Sequence, residues 1–354
     1  MNPDGHDAAG RPRASEARLA EIRREAEMRG AAQGSGVRPA NAPFPKASPQ
    51  TGYYGLPALK APQWTWEIPA YFFAGGAAGA AAVIGAVGSL TGADRRLIRD
   101  ARWLAAIGGA ISPALLISDL GTPSRFLNML RVFKIQSPMS VGSWTLVAFS
   151  NSAAMSAVAD AIARKTGRRR LVRFVGNAAE VLAAFSGLAL TTYTGVLIGA
   201  TAIPVWAEHV GTLPIHFAAS GTGAAVSILE LRGHDSNRAL NAMGIAAATA
   251  ETIVGARIEL DQKRVNKPLK QGATGALIRL GGLLSGPLPL ALRLLSLGAS
   301  RQKSRKLRRA AAASTIAGSM ITRQAWIKVG KVSARDSKVV LDLPERIRPR
   351  IASQ

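Results

Sequence analysis

From residue 68 onward the chain alternates long apolar runs with short basic segments. A helix needs about 20 apolar residues to cross the hydrocarbon of a bilayer. Eight stretches approach that length and predict spans at 68–90, 103–118, 139–159, 178–203, 205–229, 240–256, 273–297 and 310–327. Nothing alternates like a barrel strand. The expected fold class is therefore all-α, a polytopic membrane protein with about eight transmembrane helices in a bundle. The first run carries GGAAGAAAVIGAVG, a small-residue face suited to tight helix contact. Asp119 ends the second, and Pro287 and Pro289 interrupt the seventh.

The flanks differ in kind. Residues 1–52 are polar, with a charged, helix-prone piece at 15–29 and a Gly/Pro/Ser-rich stretch behind it. They read as a disordered tail, followed by a transmembrane domain at 53–330 and a basic tail at 331–354. Arg23 and Arg24 have no apolar segment behind them, so they do not read as an export signal. Residues 53–66, YYGLPALKAPQWTW, put Trp64 and Trp66 where an interfacial aromatic belt belongs.

Charge refines this picture. The chain has 354 residues, 45 of them Lys or Arg, and a net charge of +24. That balance invites a nucleic-acid reading, but the cations sit in short segments between apolar runs. Loops after the odd-numbered spans hold eighteen Lys and Arg against eight after the even-numbered ones. The positive-inside rule then places both termini on the outer, periplasmic face of a bacterial inner membrane. Basic loops facing anionic headgroups account for the charge without nucleic acid.

Cysteine is absent and histidine occurs four times. A disulfide, a thiolate zinc site and a cysteine-ligated cluster are excluded from this chain. His209 and His216 fall on one expected helix, whereas a b-type haem wants imidazoles from facing helices. The expectation is no haem, no iron–sulfur cluster and no metal ligands here.

Ionisable residues inside spans are costly and mark candidate sites. They are Glu180, Glu208, His209, His216, Glu251, Arg279, Arg293 and Arg323. For each, an interhelical hydrogen bond or snorkelling is the alternative, and Arg279 and Arg293, near the ends of their span, are expected to snorkel. The loop at 118–144, SDLGTPSRFLNMLRVFKIQSPMSVGSW, concentrates a turn at Gly121 and Pro123 with Arg125, Arg131 and Lys134. Asp119 and Arg125 are close enough to pair across that turn, which leaves an ion-paired interfacial turn and a functional site both open.

Four blocks resemble the NrfD/PsrC family, the integral membrane subunits of polysulfide reductase and related molybdenum or cytochrome enzymes. They are YGLP at 54–57 with WTWEIPAYFFAGGAAGA at 64–80, the segment DLGTPSRFLNMLRVFKIQSPMSVGSW from Asp119, YTG at 193–195 with PVW at 204–206, and ITRQAWIKVGKVSARDS from Ile321. The resemblance implies a haem-free subunit that binds menaquinone or ubiquinone. It also implies an iron–sulfur, ferredoxin-like partner and a catalytic subunit of molybdopterin or multihaem cytochrome type. By this likeness Tyr71 and Tyr193, with Trp66 beside them, are the quinone-binding candidates. Some members carry histidine at the position of Tyr71 and asparagine at that of Ile68.

A tyrosine can donate to a quinone carbonyl, and an isoleucine cannot. Glu67 and Asp119 are candidates for proton transfer if burial raises their pKa; Asp119 is structural instead if Arg125 holds it ionised. Trp64, Arg125, Arg131 and Arg323 are expected in structural or interface roles. Two rival readings stand beside the redox one. A secondary transporter or ion-translocating module is suggested by Glu180, Glu251 and the proline-broken seventh span. A passive membrane anchor would bind no quinone.

Overall fold

In a bilayer an apolar run satisfies its own backbone by closing into a helix, and the expected runs are helical here, two of them broken in two. A computed structural model describes residues 59–165 and 169–336 with Glu21 and Arg24, apart from the side chains of Arg125 and Arg169. The expectations for the tail at 1–52, the block at 54–57 and residues 337–354 lie outside the described residues. No strand occurs among the described residues.

Helices α1 (Glu67–Thr91) and α2 (Arg95–Asp119) are joined by a tight turn in which Gly92 takes a φ of 70° and Asp94 caps α2 through the Arg96 N–H. They are followed by α3 (Pro138–Lys165), α4 (Arg169–Gly199) and α5 (Leu213–Leu229). The remainder are α6 (Arg238–Leu260), α7 (Gly272–Ser285), α8 (Pro287–Leu297) and α9 (Arg301–Arg335). Six segments are long and apolar enough to cross a membrane, namely α1, α2, α3, α4, α6 and α7 with α8 taken together. The 17-residue α5 and the charge-rich α9 stand where the fifth and eighth spans were expected. The protein is an all-helical, multi-pass membrane protein.

Prolines decide where the pattern breaks. The run at 205–229 is not one helix but a short turn, Pro204–Glu208, then α5. Pro204 and Pro214 each sit in the first turn of their helix, where a missing N–H costs nothing. Pro287 likewise opens α8 after Gly286, so the seventh run is two helices in series. Helix α2 starts two turns before the expected span, at Arg95, because its charged first turns find partners on other helices.

Packing is set by small residues. Helices α1 to α4 form a four-helix group in which α1 contacts α2 and α4, and α3 contacts the same two. Helix α5 lies against α1 and α4 and carries α6 on its other side, with α7 and α8 beyond. A Cβ at Gly187 of α4 would sit 2.8 Å from the Gly79 carbonyl oxygen of α1, and one at Gly221 of α5 would sit 2.9 Å from the Gly76 oxygen. Lipid supplies no hydrophobic drive between helices, so this backbone approach carries the association. Helices α1 to α8 belong to one compact unit, Gln63–Gly330.

Candidate functional site

The antiparallel order brings the start of α1, the end of α2, the start of α3 and the end of α4 to one end of the bundle. Glu67 is in the first turn of α1, and Tyr71 lies one turn further on the same face. Asp119 closes α2 across from them. Thr65 joins the two carboxylates. Its hydroxyl lies against Glu67 and 3.2 Å from Asp119 Oδ1, and its backbone N–H donates to the same Asp119 oxygen at 3.4 Å. Glu67 and Asp119 are half-buried.

Tyr71 is buried one turn beyond Glu67. It is 3% exposed, and its hydroxyl has no hydrogen-bond partner among the described residues. Its ring rests against Phe72, with centroids 5.5 Å apart, and lies 3.5 Å from a Cβ built on Gly75. Tyr193, near the end of α4, is within electrostatic reach of Tyr71. Its hydroxyl already donates to the Pro138 carbonyl at the start of α3. Gly142 makes room for the Tyr193 ring, since any Cβ there would overlap it. Beside Gly142 a groove of about 470 Å³ runs between α3 and α4, lined by Phe133, Val141, Trp144, Thr145, Ser186 and Ala189 among others. Ala189 is one turn before Tyr193 on α4, and neither tyrosine lines the groove.

The two tryptophans part ways. Trp66 is 64% exposed at the N-terminus of α1. Trp64 turns inward and stacks on the fully buried Trp206 at 5.6 Å, with 15° between the rings. Arg131 is exposed in the loop before α3. The Arg125 backbone lies in the short turn Pro123–Arg125, and its side chain is outside the described residues, as is the expected pairing with Asp119.

Inside the bundle the intramembrane charges are paired. Glu180 of α4 meets Arg102 of α2 at 2.6 Å, with Ser89 of α1 at 2.9 Å and Asp160 3.4 Å from the same guanidinium. Arg293 departs from expectation. It does not snorkel but is wholly buried, held by two 2.8 Å bonds to the equally buried Glu230. Arg279 is exposed and pairs with Glu259. Glu208 pairs with Lys263 at the end of α6.

A second buried cluster spans α5, α6, α7 and α9. His216 Nδ1 lies 3.1 Å from Glu251 Oε1, near enough for an ion pair but not aligned as a hydrogen bond. Ser285 donates to the other Glu251 oxygen at 2.8 Å. Arg323, fully buried, donates to the Ser220 hydroxyl at 2.6 Å and to the Ser319 hydroxyl, between the rings of Phe73 and Phe217. His209 bonds Asn266 at 2.9 Å, and the Trp326 ring lies between His209 and His216. Among the described residues no group of three His, Cys, Asp or Glu is placed to hold a metal ion.

Several of these partners escaped the sequence. Arg102 counts there as one more basic loop residue, and Glu230 as the end of a span. The usable signal was the isolated carboxylate of Glu180 in an apolar run, which demands a cation from some neighbouring helix. Thr65 gave none, being one hydroxyl in a loop. A family model described as polysulphide reductase, NrfD, matches residues 59–260, which include α1 to α6 and all of the Thr65–Tyr71–Asp119–Tyr193 end. No curated protein matches the chain.

Proposed function

Because the chain belongs to the NrfD family of polysulphide reductase-type membrane subunits, we propose that it exchanges electrons between the membrane quinone pool and an iron–sulfur partner. Family members are membrane subunits of quinone-linked oxidoreductases. The observation that carries the reading is the buried, unpartnered Tyr71 hydroxyl one turn from two carboxylates linked through Thr65.

A quinone site wants an amphiphilic slot open to lipid, donors for its carbonyls and a route for protons. Tyr71 is the free donor. Tyr193 joins it by exchanging its bond to Pro138 for one to the second carbonyl. The groove beside Gly142 is the lipid-side entrance. Oxidation of a quinol releases two protons and two electrons. The protons pass through Glu67 and Asp119 to the aqueous face. The electrons leave to an iron–sulfur, ferredoxin-like subunit docked at this end, and from it to a catalytic subunit of molybdopterin or multihaem cytochrome type. Run in reverse, the same groups reduce a quinone. Menaquinone and ubiquinone both satisfy these contacts. The excess of cations in the loops at the other end of the bundle supports a periplasmic site, with both termini on that side of a bacterial inner membrane.

The test is to purify the complex in mild detergent, extract its lipids and measure bound quinone and quinol oxidation. Near-stoichiometric quinone, bound several-fold more weakly in Tyr71→Phe while the partners still co-purify, supports the reading. A chain that carries its partners but never quinone is a passive anchor.

A second reading, ion translocation, has its own observation in the buried ionisable residues of α5, α6 and α9, His216, Glu251 and Arg323. It predicts proton flux across vesicles that Glu251→Gln abolishes. Full flux in that variant would discard it.

A further inference from the structure

The corner between α8 and α9 is assigned no role by the quinone reading. Helix α8 ends at Leu297 and α9 begins at Arg301, so the corner lies where the seventh apolar segment leaves the bilayer. A groove of about 400 Å³ opens there, lined by Leu294, Leu295, Gly298, Ala299, Lys303 and Leu307. That volume is within the roughly 300–1,000 Å³ usual for small-molecule sites. Its wall is apolar and faces outward, Leu294 being 49% and Leu295 64% exposed.

The chemistry of the groove is graded along its length. Lys303 and Leu307 are four residues apart on α9 and so share a face, with Leu307 one turn further along that helix. Leu294 and Leu295 stand in the last turn of α8. Cations thus crown an apolar floor. Arg301, Lys306 and Arg309 are also exposed in the first turns of α9, and none of the four has an acidic partner among the described residues. Their neighbours are used differently. Arg305 pairs with Asp235 at 3.2 Å, and Arg308 donates to the Asp235 and Asn237 carbonyls. The inward cations hold the fold together and the outward ones are left free. The first turn of α9 also carries no acid, so its unpaired N–H groups add to the positive field.

We propose that this groove is a binding site for an anionic diacyl phospholipid. The headgroup phosphate sits at Lys303 and the exposed start of α9, and an acyl chain lies along Leu294, Leu295 and Leu307. Apolar length below a cationic rim at the headgroup level is the pattern of protein sites for anionic lipids. A free phosphate would leave the leucines uncovered, and a zwitterionic lipid would leave Lys303 without its counter-charge.

The experiment is native mass spectrometry of the detergent-purified chain after exchange into vesicles of phosphatidylcholine with a minor share of phosphatidylglycerol. Retained phosphatidylglycerol is expected on the unaltered chain. Each basic residue near a charged membrane surface contributes about 1 kcal/mol, which is about fivefold in affinity. Lys303→Gln should therefore lower retention about fivefold, and Leu294→Trp, which fills the floor, should lower it without removing charge. Lys134→Gln, at the opposite end of the bundle, should leave retention unchanged. Equal loss in Lys134→Gln and Lys303→Gln would reduce the effect to overall charge and overturn the site. So would undiminished retention in Lys303→Gln, or displacement of the lipid by inorganic phosphate alone.

Discussion

Glu230 and Arg293 lose all contact with solvent, and each is tolerable only because of the other. Removing one partner of a buried pair leaves an uncompensated charge and costs about 3–5 kcal/mol, whereas replacing both with apolar groups of similar volume can be neutral. Glu230→Gln should lower the thermal midpoint of the purified chain sharply, and Glu230→Leu combined with Arg293→Leu should recover much of it. Gly244 belongs to the same site, since a Cβ there would meet the Arg293 guanidinium. At the candidate quinone end, Tyr71→Phe removes one hydroxyl without altering packing. A hydrogen bond is worth about 1 kcal/mol, so quinone affinity should fall several-fold, read by titration against quinol oxidation. Asp119→Asn should instead slow turnover at saturating quinol by about a hundredfold or more, as expected when a proton carrier is lost. Tyr71 was a candidate only through the family resemblance, and Glu67 and Asp119 were candidates as carboxylates at the ends of apolar runs. The linkage of the two carboxylates through Thr65 was not legible, since 54 residues separate Thr65 from Asp119 in the chain.

At the scale of elements, α1 is the axis on which the others close. Its Gly79 faces the Gly187 backbone of α4 so closely that no side chain fits between them. Gly79→Val should push α4 away and cost roughly 1–3 kcal/mol by overpacking, visible as a lower thermal midpoint. The same change at Gly255, which has open space around it, should be near neutral. The small-residue run in α1 announces tight contact, yet it cannot say which helix makes it, because every face of the run is small. The turn after α5 is a second device. Residues Glu230–His234 form one π-helical turn, with Gly233 at a φ of 104°. From that turn and the residue after it, Glu230 reaches Arg293, His234 reaches Asp100 at 2.9 Å and Asp235 reaches Arg305. Three other helices are thereby tied to the end of α5. Gly233→Ala, forced into that φ, should loosen the ties at a cost of about 1–3 kcal/mol.

For the whole molecule, the absence of cysteine makes topology directly measurable. Single cysteines at Gly121 and Gln271 should react with a membrane-impermeant thiol reagent from the periplasmic side, and cysteines at Gly92 and Gly298 only after the membrane is opened. The reverse pattern would invert the orientation and move the quinone site to the cytoplasmic face. What the sequence by itself determined is the class of the protein. Apolar runs of bilayer length allow only helices, because lipid offers no partner for a free backbone group. The alternation of basic loops and the placement of prolines follow from the same local physics. What only the tertiary structure decided is who meets whom. The partners of Glu180, Arg293 and Glu251 lie on helices distant in the chain, and charge in lipid demands a partner without specifying its address. The helix order around α1, the linked carboxylates at one end and the free cations at the other follow from three-dimensional packing, which no window of sequence contains.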